Sequence, residues 1–159
     1  MKIPSAFLNL IVIATISSGI ATAGQLNWIA PLADCYDTGV SRNRAVIVIF
    51  YDSVTSRVDA DKMSIRLGLS PKIQKLSDST VWCMGDVSKD VVAKNMAKAL
   101  GVKEYPTLSV LQPDPKMIEE KTRIGGFRGV FAEKAFEDAQ DYIIRGIAKV
   151  HLKPPSPKR

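Results

Sequence analysis

The chain has 159 residues, 46% of them hydrophobic and 24% charged, which is room for one domain with tails and excludes collagen-like, disordered and disulfide-dense chains. Its net charge is +6, from 22 basic and 16 acidic side chains. One histidine and two cysteines exclude a multi-histidine metal centre, allow at most one internal disulfide and cannot form a zinc site alone.

The N-terminus reads Met1, Lys2, then a largely apolar run from Ala6 to Ile20 that closes on Ala21-Thr22-Ala23. One positive charge, an apolar stretch and a small-residue A-x-A site make a secretory signal peptide. The run is diluted by Asn9 and by the Ser/Gly/Thr cluster, and it is short against the roughly 20 apolar residues that a spanning helix needs. The expected organisation is a signal peptide over 1–23 cleaved after Ala23, a domain over 24–150, and a basic proline-rich tail over 151–159 that cannot be helical. Cleavage removes 23 of the 159 residues and one lysine, leaving a 136-residue product of charge +5. No later segment is apolar enough to span a membrane, so the product is expected in the periplasm or outside the cell, where disulfides persist.

Residues 25–30 suit a short first strand. Residues 31–43 suit a short helix with Pro31 near its start and Gly39 near its end. Ala45 to Tyr51 is a continuous, β-branched-rich apolar run, the signature of a central strand buried on both faces. Met63, Ile65, Leu67 and Leu69 then recur among charges. They predict a helix from Asp59 to Leu67 and a second turn from Ser70 to Leu76, with Gly68 and Pro71 as interruptions and Ser70 as a cap. Thr80 to Val87 is a strand. Ser88 or Asp90 caps a helix over about 89–100 whose apolar set is Val91, Val92, Met96, Ala99 and Leu100, and Gly101 ends it. Tyr105 to Leu111 is a strand opened by Pro106, 112–121 a turn, and Arg123 to Val130 a glycine-rich strand. Ala132 to Val150 is an amphipathic helix with Phe136, Ala139, Tyr142, Ile143 and Ile147 on one face. Alternating strands and helices predict parallel pairing first, and the short final connection predicts an antiparallel hairpin. Trp28, Phe50, Trp82, Phe127 and Phe136 are expected in the core.

In this order the chain resembles the thioredoxin superfamily over residues 25–148. The residues that carry the resemblance are Gly85-Asp86-Val87, the following helix, Leu100-Gly101-Val102, Tyr105-Pro106-Thr107-Leu108, and Gly125-Gly126-Phe127-Arg128-Gly129 before the last helix. The resemblance implies an α/β fold, a thioredoxin-like three-layer α/β/α sandwich with a mixed central sheet. It also implies a cis peptide bond before Pro106, with the backbone at Tyr105 exposed where the family docks extended substrates.

The catalytic motif of that family does not carry over. Thr55-Ser56-Arg57-Val58 falls over Cys-x-x-Cys, no cysteine lies between Cys35 and Cys83, and Ile49 stands where the family keeps a buried acid. A threonine hydroxyl without an adjacent base cannot replace a low-pKa thiolate. In the family's layout the helix bearing Cys35 packs over the strand bearing Cys83, so a structural Cys35–Cys83 disulfide is expected. Two separate buried thiols, or one exposed thiol bonded to a partner, are the alternatives.

No cofactor or metal is expected. Asp59, Asp61, Asp86 and Asp90 lack calcium-loop spacing, and the glycines of 125–129 lack the Gly-Lys-Ser/Thr ending of a phosphate loop. His151 lies beyond the last helix with no nucleophile near it in sequence. Arg42 and Arg44 cluster, as do Lys149, Lys153, Lys158 and Arg159, without the interleaved aromatics of a nucleic-acid platform.

The reading that results is a protein-binding or assembly component of an envelope complex, such as a secretion or conjugation machine. Thr55, Ser56, Arg57, Tyr105, Pro106 and Gly126 form its expected binding surface for an extended partner segment, with no nucleic acid involved. The alternatives are an atypical thiol–disulfide oxidoreductase using Cys35 and Cys83, and a basic factor that binds anionic polymer.

Overall fold

The computed structural model describes residues 26–114, 123–128 and 133–150, with the side chains of 123–128 and 133–135 outside that description. The expected signal peptide over 1–23, most of the turn expected over 112–121, the expected core side chain of Phe127, His151 and the expected tail over 151–159 lie outside the described residues.

The elements are β1 (Trp28–Ile29), α1 (Leu32–Arg42), β2 (Ala45–Tyr51), α2 (Arg57–Leu69), α3 (Pro71–Gln74), β3 (Thr80–Asp86), α4 (Val91–Ala99), β4 (Thr107–Leu111), β5 (Arg123–Arg128) and α5 (Glu133–Lys149). The strands form one five-stranded sheet in the order β1-β3-β2-β4-β5. β1, β3 and β2 are parallel, while β4 runs antiparallel to both β2 and β5. This is the mixed sheet that the β-α-β order and the closing hairpin predict.

β2 organises both halves of the core. All seven of its residues are buried, and strand alternation sends them to opposite faces. Ala45, Ile47, Ile49 and Tyr51 meet Ala60, Met63 and Leu67 of α2, Ile73 of α3, and Phe136 and Ile143 of α5. Val46, Val48 and Phe50 meet Leu32, Cys35 and Tyr36 of α1, and Ala93, Met96 and Ala97 of α4. The three expected layers follow: α1 and α4 on one face, α2, α3 and α5 on the other.

Several local expectations are corrected. α1 ends within the span expected for it, at Arg42, and the stop itself is Asn43, which takes the left-handed conformation at φ 50°. Gly39 is a packing residue instead: a Cβ there would sit 2.2 Å from Cγ2 of Val46, so only glycine lets α1 approach β2 this closely. Gly68 does not break α2, which continues to Leu69, and Ile65 and Leu69 point to solvent while Met63 and Leu67 are buried. The alternation of apolar residues at 63, 65, 67 and 69 does not match the helical period, so half of the set faces outward. In α4 the buried stripe is Ala93, Met96 and Ala97, continued by Leu100 at the C-cap, and Val91 and Val92 are exposed. The cap is Asp90, whose carboxylate accepts from the backbone N–H groups of Val92 and Ala93, and this puts the two valines in the solvent-facing first turn. Ala99, expected in the apolar set of α4, is exposed, Trp28 is only half-buried, and β4 begins at Thr107 rather than Tyr105. As expected, Ser70 caps α3, Gly101 has φ 67°, and no helix among the described residues is long and apolar enough to cross a membrane.

Cys35 and Cys83 form a disulfide, with Cα atoms 5.8 Å apart. Both residues are fully buried, and the bond fastens α1 to β3 across 48 residues of chain. Closing a loop of that length restricts the unfolded chain by about 4 kcal/mol in the loop-entropy model.

Two measurements check this packing. Replacing both cysteines by alanine lowers the unfolding free energy in urea by about 2–4 kcal/mol. Gly39→Ala lowers it by about 1–3 kcal/mol through overpacking, and adding Val46→Ala to Gly39→Ala recovers part of the loss. If Gly39→Ala is neutral, the contact of α1 with β2 is looser than described.

Candidate functional site

Parallel strands deliver their following loops to the same edge. Here the C-terminal ends of β2 and β3 and the start of β4 meet at one rim of the sheet. Tyr51 lies opposite Asp86 and Phe50 opposite Thr107, so residues 52–56, 86–90 and 104–106 are brought together. The rim therefore collects Thr55, Ser56, Arg57, Tyr105 and Pro106 from two distant stretches of sequence. Gly126 is not among them: it pairs with Ser109, which lies opposite Val48 in mid-strand. On β5 it is Arg128, opposite Thr107, that reaches the level of the rim.

Residues 52–56 fold around Asp52. Its carbonyl accepts from the N–H groups of Thr55 (3.2 Å) and Ser56 (2.8 Å), and its carboxylate accepts from Val54 N–H at 2.8 Å. Ser56 is buried. Its hydroxyl accepts from Asp52 N–H at 2.9 Å and donates to the Asp52 carbonyl at 3.2 Å, so it is spent within the loop and offers a partner nothing. Thr55 is exposed, and Val54 beside it is 84% exposed. Arg57 opens α2 with its Nε on both carboxylate oxygens of Asp61, at 2.8 and 2.9 Å. Its guanidinium also lies 5.4 Å from the centre of the Tyr51 ring. Burial raises the Tyr51 phenol above its ordinary value, with the Arg57 charge opposing.

The acid that organises the rim, Asp86, was expected only as a cap or solvated group. Its Oδ1 accepts from Ser53 N–H (3.2 Å), Ser88 N–H (3.0 Å) and the Ser88 hydroxyl (2.6 Å). Since Ser88 gives its proton to Asp86, the 2.8 Å contact between the Ser53 and Ser88 hydroxyls has Ser53 as donor. Desolvation alone would raise the Asp86 carboxyl, and these hydrogen bonds outweigh it and hold the group below its ordinary value. The signal in the sequence was Asp86 followed two residues later by Ser88, an Asx turn at the end of a strand.

The peptide bond before Pro106 is cis, as the resemblance implies, and so is the bond before Pro31. Pro106 is buried and Tyr105 half-buried. Burial raises the Tyr105 phenol, and the charge of Asp52 raises it further. Cys83 is three residues before Asp86, about 10 Å along the strand, and both cysteines are solvent-inaccessible. The loop that holds the reactive thiol in the resembled family is occupied here by hydroxyls, a guanidinium and backbone.

Asp86→Asn keeps the shape and removes the charge that these donors face. It is expected to cost about 1 kcal/mol in urea unfolding at neutral pH, an exposed-side figure for charge-assisted bonds. Because the folded carboxyl titrates below the unfolded one, its stabilisation is present above the unfolded carboxylate range and is lost as pH falls through the folded value. The gap between wild type and variant therefore closes on acidification.

No protein-family model and no curated protein matches the sequence. Among solved structures, the chain is similar to a thioredoxin from Thermus thermophilus, at 17% identity and TM-score 0.54, over 76% of this chain and 88% of that one. It is also similar to the Malassezia sympodialis thioredoxin, at 13% identity and TM-score 0.51, over 77% of this chain and 91% of that one. At these identities the likeness speaks for architecture, and the strand order, the layers and the cis bond before Pro106 agree with it: this chain has the thioredoxin fold.

Proposed function

We propose that the protein is a thioredoxin-fold binding module that acts outside the cytoplasm, without dithiol chemistry at its rim, as an assembly or stabilising component of an envelope complex. One observation carries this reading. The loop at the rim, residues 52–56, is closed on itself by hydrogen bonds to Asp52 and contains no cysteine, and the two cysteines of the chain are bonded to each other in the core. The rim is left with exposed Thr55 and Val54, half-buried Tyr105 and the backbone beside Pro106. Those groups suit main-chain capture of an extended partner segment, the mode in which peptide hydrogen bonds give affinity and neighbouring pockets give selectivity. The signal-peptide pattern at residues 1–23 supports a periplasmic or secreted location. An oxidising compartment also suits the disulfide.

A second reading is favoured by the disulfide itself: an atypical oxidoreductase that cycles Cys35 and Cys83. It requires a thiolate that solvent or a protein disulfide can reach, whereas both residues are fully buried.

Free-thiol titration with an insulin-reduction assay separates the two readings. The expected result is no thiol in the native protein, two after reduction in denaturant, and no turnover. On an array of unstructured peptides, the binding module retains a subset, and Thr55→Trp, at an exposed position, abolishes retention without moving the unfolding midpoint. A thiol readily alkylated in the native protein after mild reduction, together with insulin turnover, overturns the binding reading in favour of the enzymatic one.

A further inference from the structure

The end of the sheet away from the rim carries a feature that the proposed function does not use. β3 begins two residues before its first pairing with β1, which joins Trp28 to Trp82. A cavity of about 250 Å³ opens there, between the C-terminus of α1 and the start of β3. β3 has seven residues, so this cavity lies about 20 Å from the rim.

Arg42 and Arg44 both line the cavity. They flank the left-handed turn at Asn43 that ends α1, and that turn puts both arginines in the lining of one cavity. Neither Arg42 nor Arg44 forms an ion pair with a carboxylate among the described residues. Asp78 lines the same cavity, which gives its walls two positive charges and one negative. The hydroxyl protons of Thr38 and Thr80 are already donated to the carbonyls of Asp34 and Leu76, both at 2.7 Å. The side-chain donors left to a ligand are Arg42, Arg44, Asn27 and Ser77, together with Trp82, which also lines the cavity and whose buried indole N–H has no hydrogen-bond partner among the described residues.

We propose that this cavity binds a singly charged oxyanion of the kind a carboxylate or phosphodiester group presents. A net wall charge of one matches one negative charge on the ligand, and the planar guanidinium fork matches two oxygens at once. The volume exceeds that of the anionic group alone, so the ligand carries further atoms. Ile29 and Val81 supply an apolar wall for them.

The test is an NMR titration of the full-length protein, following the arginine Nε–H signals with acetate and, separately, dimethyl phosphate against sodium chloride of equal ionic strength. The expected result is saturable shifts at Arg42 and Arg44 and none at Arg57, which Asp61 already holds. The probe that saturates at lower concentration identifies the ligand class. Arg44→Gln weakens binding at least tenfold. Asp78→Asn tightens it by about threefold, the effect of removing one like charge a few Å away at water-like dielectric. That gain is one a merely structural role for Asp78 would not produce. Shifts that never saturate, that chloride reproduces, or that persist undiminished in Arg44→Gln overturn the proposal.

Discussion

A strand buried on both faces is the constraint on which this structure depends. None of the seven residues of β2 is more than 8% exposed, and a strand of that kind is stable only if both faces of the sheet are covered. Each face of β2 selects its own helices. On the side bearing Val46, Val48 and Phe50, α1 lies close to β2 and Gly39 gives it the room, while α4 adds the small Ala93 to the same core. The side bearing Ile47, Ile49 and Tyr51 receives larger side chains from α2 and α5. At Gly146 of α5 a Cβ would meet Val110 of β4 at 3.0–3.2 Å, so close helix-to-sheet approach through glycine recurs on the second face.

The pattern of residues made the strands and their order legible. The unbroken run from Ala45 to Tyr51 can hardly be placed anywhere but in the middle of a covered sheet, and Asp90 and Gly101 mark the ends of α4 by their own chemistry. What was not legible depends on contacts between distant parts of the chain. Gly39 looks like a helix stop because glycine usually is one. It is retained inside α1 because Val46, seven residues later in another element, occupies the space a methyl would need. Val91 and Val92 read as core by hydropathy and are solvent-facing because the cap at Asp90 fixes the start of the helix. The resemblance brings Thr55, Ser56, Arg57, Tyr105 and Pro106 to the rim, but it does not show that the Ser56 hydroxyl is consumed by Asp52. Gly126 was misplaced by two positions of register.

The disulfide shows how one residue type does different things at different depths. A cysteine at a helix start on the rim gains from the dipole and from solvent access, both of which favour the thiolate. Cys35 lies one turn inside α1 against β3, and Cys83 lies in mid-strand between β1 and β2. Neither has access to water, so a thiolate at either position would have to form in an apolar setting that disfavours charge. At that depth a cross-link acts by restricting the unfolded chain, and the surrounding core gains nothing from opening it.

The two ends of the sheet differ in how their charges are used, and this bears on what each can recognise. At the rim, Asp86 is taken up by Ser53 and Ser88, and Arg57 by Asp61. What faces solvent between those groups includes Val54, at 84% exposed, and Val91, at 70%. A surface whose charges are satisfied internally discriminates by shape, apolar contact and backbone hydrogen bonds, and its affinity changes little with salt. At the far end, Arg42 and Arg44 line the cavity with no carboxylate partner among the described residues, while Asp78 shares the wall. Recognition there is electrostatic and weakens as ionic strength rises. Salt dependence therefore separates the two ends without any mutation: a partner held at the rim survives added chloride, and an anion held between Arg42 and Arg44 does not.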